Sequence, residues 1–429
     1  TMPNLFRAIS KSAKQDGKVL VDISYEIISQ MSAQLYTNPR KAIEELVCNA
    51  YDAGATECHI RIPKTAKQSL VVLDNGESMD LEGLRDLWRV AKSPKIPEKR
   101  TGLRVRNNRL QIGKFGVGKL AAYALGRRLT HVATIGETTR IVSVGQDEIK
   151  SKRDGKAPSF KVFKIPSDKA QAILLPFLDG LPLPWDKRWD KWTLAVVEDV
   201  SEDSISRALR IGHLKRMIYT ALPVSDRFAV FLDKDPVTVR TITEEDVQVR
   251  VNVCRKEFIE KLEVALEGYW RNALELEEQG VVPKSRYKVR PTEIASPQDV
   301  RIKLPAIEVP ELGPIAGEAV ITKESLTTEK LEERGYVSNG FAIRANDKLV
   351  NPEDELFGIS QLSHAYWRRF QAKVEIPSFD DILLVQRNAV SENSPKAPLA
   401  REVLLDLAQV LKRLLAPHLT SAAALEKLS

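Results

Sequence analysis

The chain has 429 residues, too many for one hydrophobic core, and its 43% hydrophobic and 29% charged residues are those of a globular protein with room for two or three domains. No stretch approaches the ~18 uninterrupted apolar residues of a membrane span, and Thr1 to Gln15 lacks the apolar centre of a signal peptide, so neither a membrane partner nor secretion is expected. The net charge of +7, from 65 basic and 58 acidic side chains, permits a nucleic-acid partner without requiring one.

Residues 18–35 have the period of an amphipathic helix, and 39–53 predict a second, with Pro39 where helices commonly start. The runs 59–62 and 70–73 are short apolar strands, and 81–91 is a helix. The densest basic run, Lys95 to Lys114, follows; a loop beside a triphosphate and a DNA contact would both look like this. Residues 120–125 open a helix that ends near Gly126. Strands are expected at 129–135, 139–146, 160–165 and 192–197, with a loop or insertion over 166–191. This places the end of a first domain near residue 200, with a second domain over 201–395 and a C-terminal helix and tail over 396–429. Within the second domain a helix connects 202–222, and strands over 228–232 and 247–253 begin a second α/β region. A long charged helix covers 255–279, and the proline-rich 283–312 is irregular or extended. Strands then follow at 317–322, 340–345, 372–377 and 382–386, before a leucine-rich helix at 398–415. The three cysteines, Cys48, Cys58 and Cys254, are too scattered for a disulfide framework or a zinc set, so a reduced, cytoplasmic setting is expected and Cys48 is read as a packing residue.

Three segments carry the chemistry. The first is Glu45-Leu46-Val47-Cys48-Asn49-Ala50-Tyr51-Asp52-Ala53. At 100° per residue, Asn49 lies about 40° and Asp52 about 20° from Glu45, so the three share one narrow face, with Ile43, Leu46, Val47 and Ala50 opposite. A solvated polar face would have the same pattern. A water-activating carboxylate at Glu45 and a hard amide oxygen at Asn49 for Mg²⁺ would also need it. The second segment is Asp74-Asn75-Gly76-Glu77-Ser78-Met79, after a continuous apolar strand. Asp74 at the strand's end can accept a hydrogen bond from the amine of adenine, Gly76 lets a flat base approach the backbone, and Met79 offers a polarizable wall. Asp-Asn-Gly is equally good turn chemistry. In the third segment Gly113, Gly116 and Gly118 crowd one short loop whose amides can face phosphate. Gly113 to Lys119 also fits the start of a P-loop. That motif needs Ser or Thr next, where this chain has Leu120, and no convincing strand precedes it.

Together these segments resemble the N, G1 and G2 boxes of the GHKL ATPases, a superfamily that includes DNA gyrase B, the ninety-kilodalton heat-shock chaperones, MutL and the MORC proteins. Glu45 to Thr56 is especially similar to MutL and MORC. The resemblance covers about residues 15–200 and implies an α/β (α+β) sandwich, the Bergerat fold. It implies ATP and Mg²⁺ as cofactors, with Glu45 as general base and Asn49 as metal ligand. Asp74 would read adenine with Gly76 and Met79 beside it, and Asp52 would lie on the binding face. Gly113, Gly116, Val117, Gly118 and Lys119 would lie at the phosphates, and Thr193 would support Asp74 through water. The G1 box usually reads DNGxGM, and this chain has Ser78 at the second glycine.

The region after residue 200 resembles the transducer domains of the same families, which contribute a basic residue to the γ-phosphate. Arg387 is the candidate here, catalytic together with Glu45 and Lys119, and 340–350 resembles a transducer hairpin. The implied function is an ATP-gated clamp that dimerises on binding nucleotide and acts on DNA or on a protein client, the positive charge leaning towards nucleic acid. A chaperone-like or nucleotide-regulated scaffold with little turnover is the alternative. A sensor histidine kinase needs a phospho-accepting histidine on a helix before the first box, whereas the first histidine in this sequence is His59.

Overall fold

The computed structural model describes residues 39–88, 105–112, 122–147, 160–221, 224–225, 227–237, 242–276, 280–326, 339–352, 354–359, 367–384 and 389–426. It is a mixed α/β structure with two large sheets, as expected of an ATPase domain followed by a second α/β region. Helix α1 (Arg40–Asp52) starts one residue after Pro39. It ends in a Schellman motif in which Gly54 N–H donates to Tyr51 O at 3.0 Å and Ala55 N–H to Ala50 O at 3.1 Å. Strands β1 (Glu57–Arg61) and β2 (Leu70–Asp74) then run antiparallel. Helix α2 (Leu81–Trp88) is followed by a small pair, β3 (Val105–Arg106) and β4 (Arg109–Leu110). A two-residue strand therefore does precede Gly113, too short for the strand of a P-loop.

Strands β5 (Arg128–Ile135), β6 (Thr138–Gly145) and β7 (Val162–Pro166) form a meander. The stretch read as a loop over 166–191 holds a helix, α3 (Ser167–Leu174), which puts Ala170 and Leu174 on the sheet. Strand β8 (Lys191–Glu198) enters between β2 and β5. A π-helical turn at Ser204–Ala208 and helix α4 (Ile211–Ala221) follow. The chain then returns to the first sheet as β9 (Ala229–Leu232) and β10 (Asp235–Pro236), where β9 runs parallel to β1. The first sheet is thus eight-stranded in the order β10-β9-β1-β2-β8-β5-β6-β7, and it continues past residue 200. Its strand at 229–232 belongs to the first sheet and not, as expected, to the second region, because pairing to a distant strand is not a local property.

Burial on both faces explains the unbroken apolar runs of β2 and β8. Leu70, Val72, Ala195 and Val197 meet Ile43 and Val47 of α1 and Leu214 and Ile218 of α4. Val71, Leu73, Leu194 and Val196 meet α3 and the buried Trp192 on the other side. Each buried Leu, Ile or Val among them contributes on the order of 1.5–3 kcal/mol.

The second sheet begins with β11 (Val247–Asn252), which pairs with β14 (Gly313–Thr322). Helix α5 (Lys256–Ala273) follows β11. Of the two readings of 283–312, irregular or extended, the structure takes the extended one: β12 (Arg290–Ser296) and β13 (Asp299–Val309) form a long hairpin. Its prolines are compatible with this: Pro291 is on the terminal strand, and Pro305 lies beyond the 306–309 stretch where β13 meets β14. Strands β15 (Gly340–Ala345), β16 (Lys348–Leu349) and β17 (Phe370–Glu375) complete the sheet. A 3₁₀ turn at Pro377–Ile382 and an isolated Leu383–Val390 bridge occupy the start of the expected last strand. Helix α6 (Lys396–Glu426) is longer than expected. It lays Leu404, Leu407 and Leu411 against Phe258, Leu262 and Leu266 of α5 and against Ala319, Ile321 and Val374 of the sheet.

Among the described residues, no helix is long and apolar enough to cross a membrane.

Candidate active site

Helix α1 is buried nearly all round. Ile43, Leu46, Val47 and Ala50 enter the core as the helical period requires, and Glu45 and Asp52 are buried as well, at 5% and 2% exposure. Asn49, between them, is half-buried. Glu45 and Asp52 are therefore not on a solvated face. Asp52 Oδ1 accepts the Ile112 N–H at 2.7 Å, and Gln111 Nε2 donates to Asp52 O at 3.1 Å. This ties the end of α1 to the residue immediately before the glycine-rich segment. Asp52 thus has a structural partner that the spacing argument did not foresee. Cys48 packs in the core, as read.

Asp74 closes β2. Its register partners are Cys58 on β1 and Thr193 on β8, so it lies between two strands at the mouth of the sheet. It is buried, and burial pushes its carboxyl up to about 7, an effect that the Gly76 N–H donating to Oδ1 at 2.9 Å only partly offsets. Among the described residues Gly76 provides that hydrogen bond, and Oδ2 is left as an acceptor. A buried carboxylate with a spare acceptor oxygen fits the amine of an adenine, a donor that would hold it in its charged form.

The turn after Asp74 is held from three sides. Asn75 accepts the N–H groups of Thr56 and Glu57 at 2.8 and 2.9 Å and donates to Thr56 Oγ1 at 2.8 Å. Glu77 N–H donates to Ala53 O at 2.9 Å. Gly76 lies so close to the end of α1 that an added Cβ would be 2.7 Å from Ala53 Cβ, so glycine is required there by proximity. Ser78 sits at φ 59°, the conformation that the usual glycine adopts freely. Its hydroxyl donates to Trp192 O at 2.8 Å and accepts from Thr193 Oγ1 at 3.4 Å, which anchors the strained residue to β8. Met79 packs partly buried beside Leu84, Ala133 and Val142.

Glu45, Asn49, Asp52, Asp74, Gly76, Met79 and Thr193 are all described, and the stitches between α1, the Asp74 turn and β8 draw their elements together. Gly113, Gly116, Val117, Gly118, Lys119 and Arg387 lie outside the described residues, as does the expected helix at 18–35. Sequence reasoning missed two basic residues. Arg109 is buried, donates to Ala55 O at 2.6 Å and lies 4.7 Å from the centre of the Tyr51 ring. Nothing in the basic run 95–114 singles it out. The other is Lys348, on β16, whose Nζ reaches Glu44 of α1.

Residues 36–171 match the family model described as "Histidine kinase-, DNA gyrase B-, and HSP90-like ATPase". The matched span contains all three motif segments and ends before Thr193 and Arg387. It supports the superfamily read from the motifs and, in general terms, ATP binding and hydrolysis.

The residues present fit such a ligand. Asp74 offers a buried acceptor, and Asn49 can supply one hard oxygen to an ion whose other positions go to phosphate and water. Among the described residues no group of three or more His, Cys, Asp or Glu could hold a metal by itself.

Proposed function

We propose that the chain is a Mg²⁺-dependent ATPase of the MutL and MORC sort, in which ATP binding and hydrolysis drive a dimeric, clamp-like cycle acting on nucleic acid. The supporting observation is the convergence at the end of α1. There Ala53 is bonded to the Asp74 turn, Asp52 holds the residue before the glycine segment, and Glu45 lies on the same helix. A base-reading carboxylate, a phosphate loop and a general base must be fixed relative to one another, and bonds from one helix to the Asp74 turn and to Ile112, next to the glycine segment, support such an arrangement. In this reading Glu45 deprotonates the attacking water, and Asn49 would hold Mg²⁺ through its amide oxygen. Asp74 takes the adenine amine, Thr193 and Ser78 hold the Asp74 turn, and Lys119 and Arg387, outside the described residues, are the candidates for the phosphates. When bound, Mg²⁺ would neutralise charge on the transferring phosphoryl group.

Replacing the base separates binding from chemistry. Glu45→Ala is expected to bind ATP with near-normal affinity and to lose at least about a hundredfold in kcat, the range of one general base. Turnover at the unmodified rate would reject Glu45 as the base.

A further inference from the structure

Two hairpin tips of the second sheet reach the candidate site, and they are tied to each other. Asn346 and Asp347, joining β15 to β16, have φ of 54° and 65°, the mirror-image turn that suits a two-residue hairpin. Glu375 of β17 accepts both of their N–H groups, at 2.5 and 3.1 Å, which fixes the turn from below. Asp347 Oδ2 accepts from Gln298 Nε2 at 2.7 Å, and Gln298 is at the tip of the β12–β13 arm. The arm then grips β4: Leu110 N–H donates to Pro297 O and Val300 N–H to Asn108 O, each at 2.8 Å. Two residues beyond Leu110, Ile112 is bonded to Asp52.

The β15–β16 hairpin grips α1 directly. Lys348 is 2% exposed, and its Nζ donates to Glu44 Oε1 at 2.8 Å and lies 3.7 Å from Cys48 Sγ. Lys41 also pairs with Glu44, at 2.7 Å. Burial alone would raise the Glu44 carboxyl, but Lys348 and then Lys41 outweigh it and hold it below its ordinary value. A lysine brought from a hairpin tip into a buried contact loses several kcal/mol of hydration, and apolar groups of similar volume often serve cohesion as well or better. What an apolar contact lacks is a directional hold on one carboxylate. Glu44 precedes Glu45, and on a helix consecutive side chains diverge by about 100°.

We propose that Lys348 is a positioning residue: by holding the Glu44 carboxylate towards the second sheet it fixes the rotation of α1 that presents Glu45 to the nucleotide face, so that movement of the hairpins sets the rate of hydrolysis. This rests on the assignment of Glu45 as the base. In this proposal Lys348 acts through Glu44 and not on the reacting atoms. Its contribution lies in kcat, because Asp74 itself is carried by β2, paired to β1 and β8, and not by α1.

The test uses the full chain as Lys348→Met, Glu44→Gln and the double variant, with kcat for ATP and the Kd of a non-hydrolysable analogue measured on each. Each single change is expected to lower kcat about tenfold, within the range of inter-site coupling, with Kd within about twofold. The double variant is expected to be no slower than the slower single, because both remove one link. A multiplicative loss in the double, a parallel loss of affinity, or an unchanged kcat would overturn the proposal. If Lys348→Met loses its cooperative melt, Glu44→Gln decides alone, since its amide fills the same space without the charge. An unmodified protein without ATP turnover overturns both this proposal and the ATPase reading. Turnover that needs Glu45 but ignores Lys348 and Glu44 overturns only this one.

Discussion

Asp74 and Ser78 set the electrostatics and the backbone of one turn at the end of β2. The Asp74 carboxyl is buried and displaced to about 7 because water is excluded, not because a negative neighbour repels it. Its folded value lies above its ordinary 3.8, so the protonated form is the one the ligand-free fold favours. The stability this group contributes is therefore full below about pH 4 and is lost as pH rises through about 7. Nucleotide binding takes the opposite sign, because an adenine amine needs the ionised acceptor. Affinity for ATP is expected to rise about tenfold between pH 6 and 8, with a slope that disappears in Asp74→Asn; calorimetry at the two pH values reads both. Asp74→Ala is expected to cost roughly 1.5–3 kcal/mol of binding, as for a hydrogen bond to a charged group, and an unchanged affinity would reject Asp74 as the adenine reader. Ser78 tolerates a left-handed backbone that costs about 1–2 kcal/mol, and its bond to Trp192 O offsets that strain.

At the scale of elements, the long helix and the central strands follow their local patterns, whereas the β12–β13 arm follows its surroundings. Its prolines leave irregular and extended chain equally open until the neighbouring strands are known. Strand β14 depends on a similarly non-local feature. Gly317 has φ 133°, and a Cβ there would fall 2.1 Å from Lys373 O on β17. Because the obstacle is backbone, it cannot swing aside. Gly317→Ala is expected to destabilise the second sheet by about 2–4 kcal/mol, read as a lowered denaturation midpoint, and a midpoint equal to the unmodified protein's would refute this account of β14.

For the whole molecule, the arrangement of two sheets joined at α1 is suited to coupling. Arg227 pairs with Asp299 at 2.6 Å, and Arg301 and then Arg227 hold the Asp299 carboxyl well below its ordinary value, adding a charged contact beside the arm's grip on β4. A clamp requires a second copy to close it. Sizing the protein with and without a non-hydrolysable ATP analogue, and with and without duplex DNA, is expected to give a dimer only with nucleotide and a further shift only when DNA is added. A nucleotide-dependent dimer indifferent to DNA would point to a protein client, and a monomer throughout would reject the clamp.

The sequence by itself determined the local chemistry. It placed Glu45, Asn49 and Asp52 on one helix, Asp74 at a strand end and Ser78 as an irregular residue; the glycine segment, which Leu120 separates from a P-loop, lies outside the described residues. These features were legible because helical period, turn residues and motif spacing are properties of neighbours in the chain. Only the tertiary structure decided the rest. It buried the polar face of α1, gave Asp52 to Ile112, and returned 229–232 to the first sheet. It also turned a proline-rich stretch into an arm and brought Lys348 to Glu44 across 304 residues of sequence. Each of these depends on strand pairing or desolvation between distant segments, and neither is encoded in any one window of the chain.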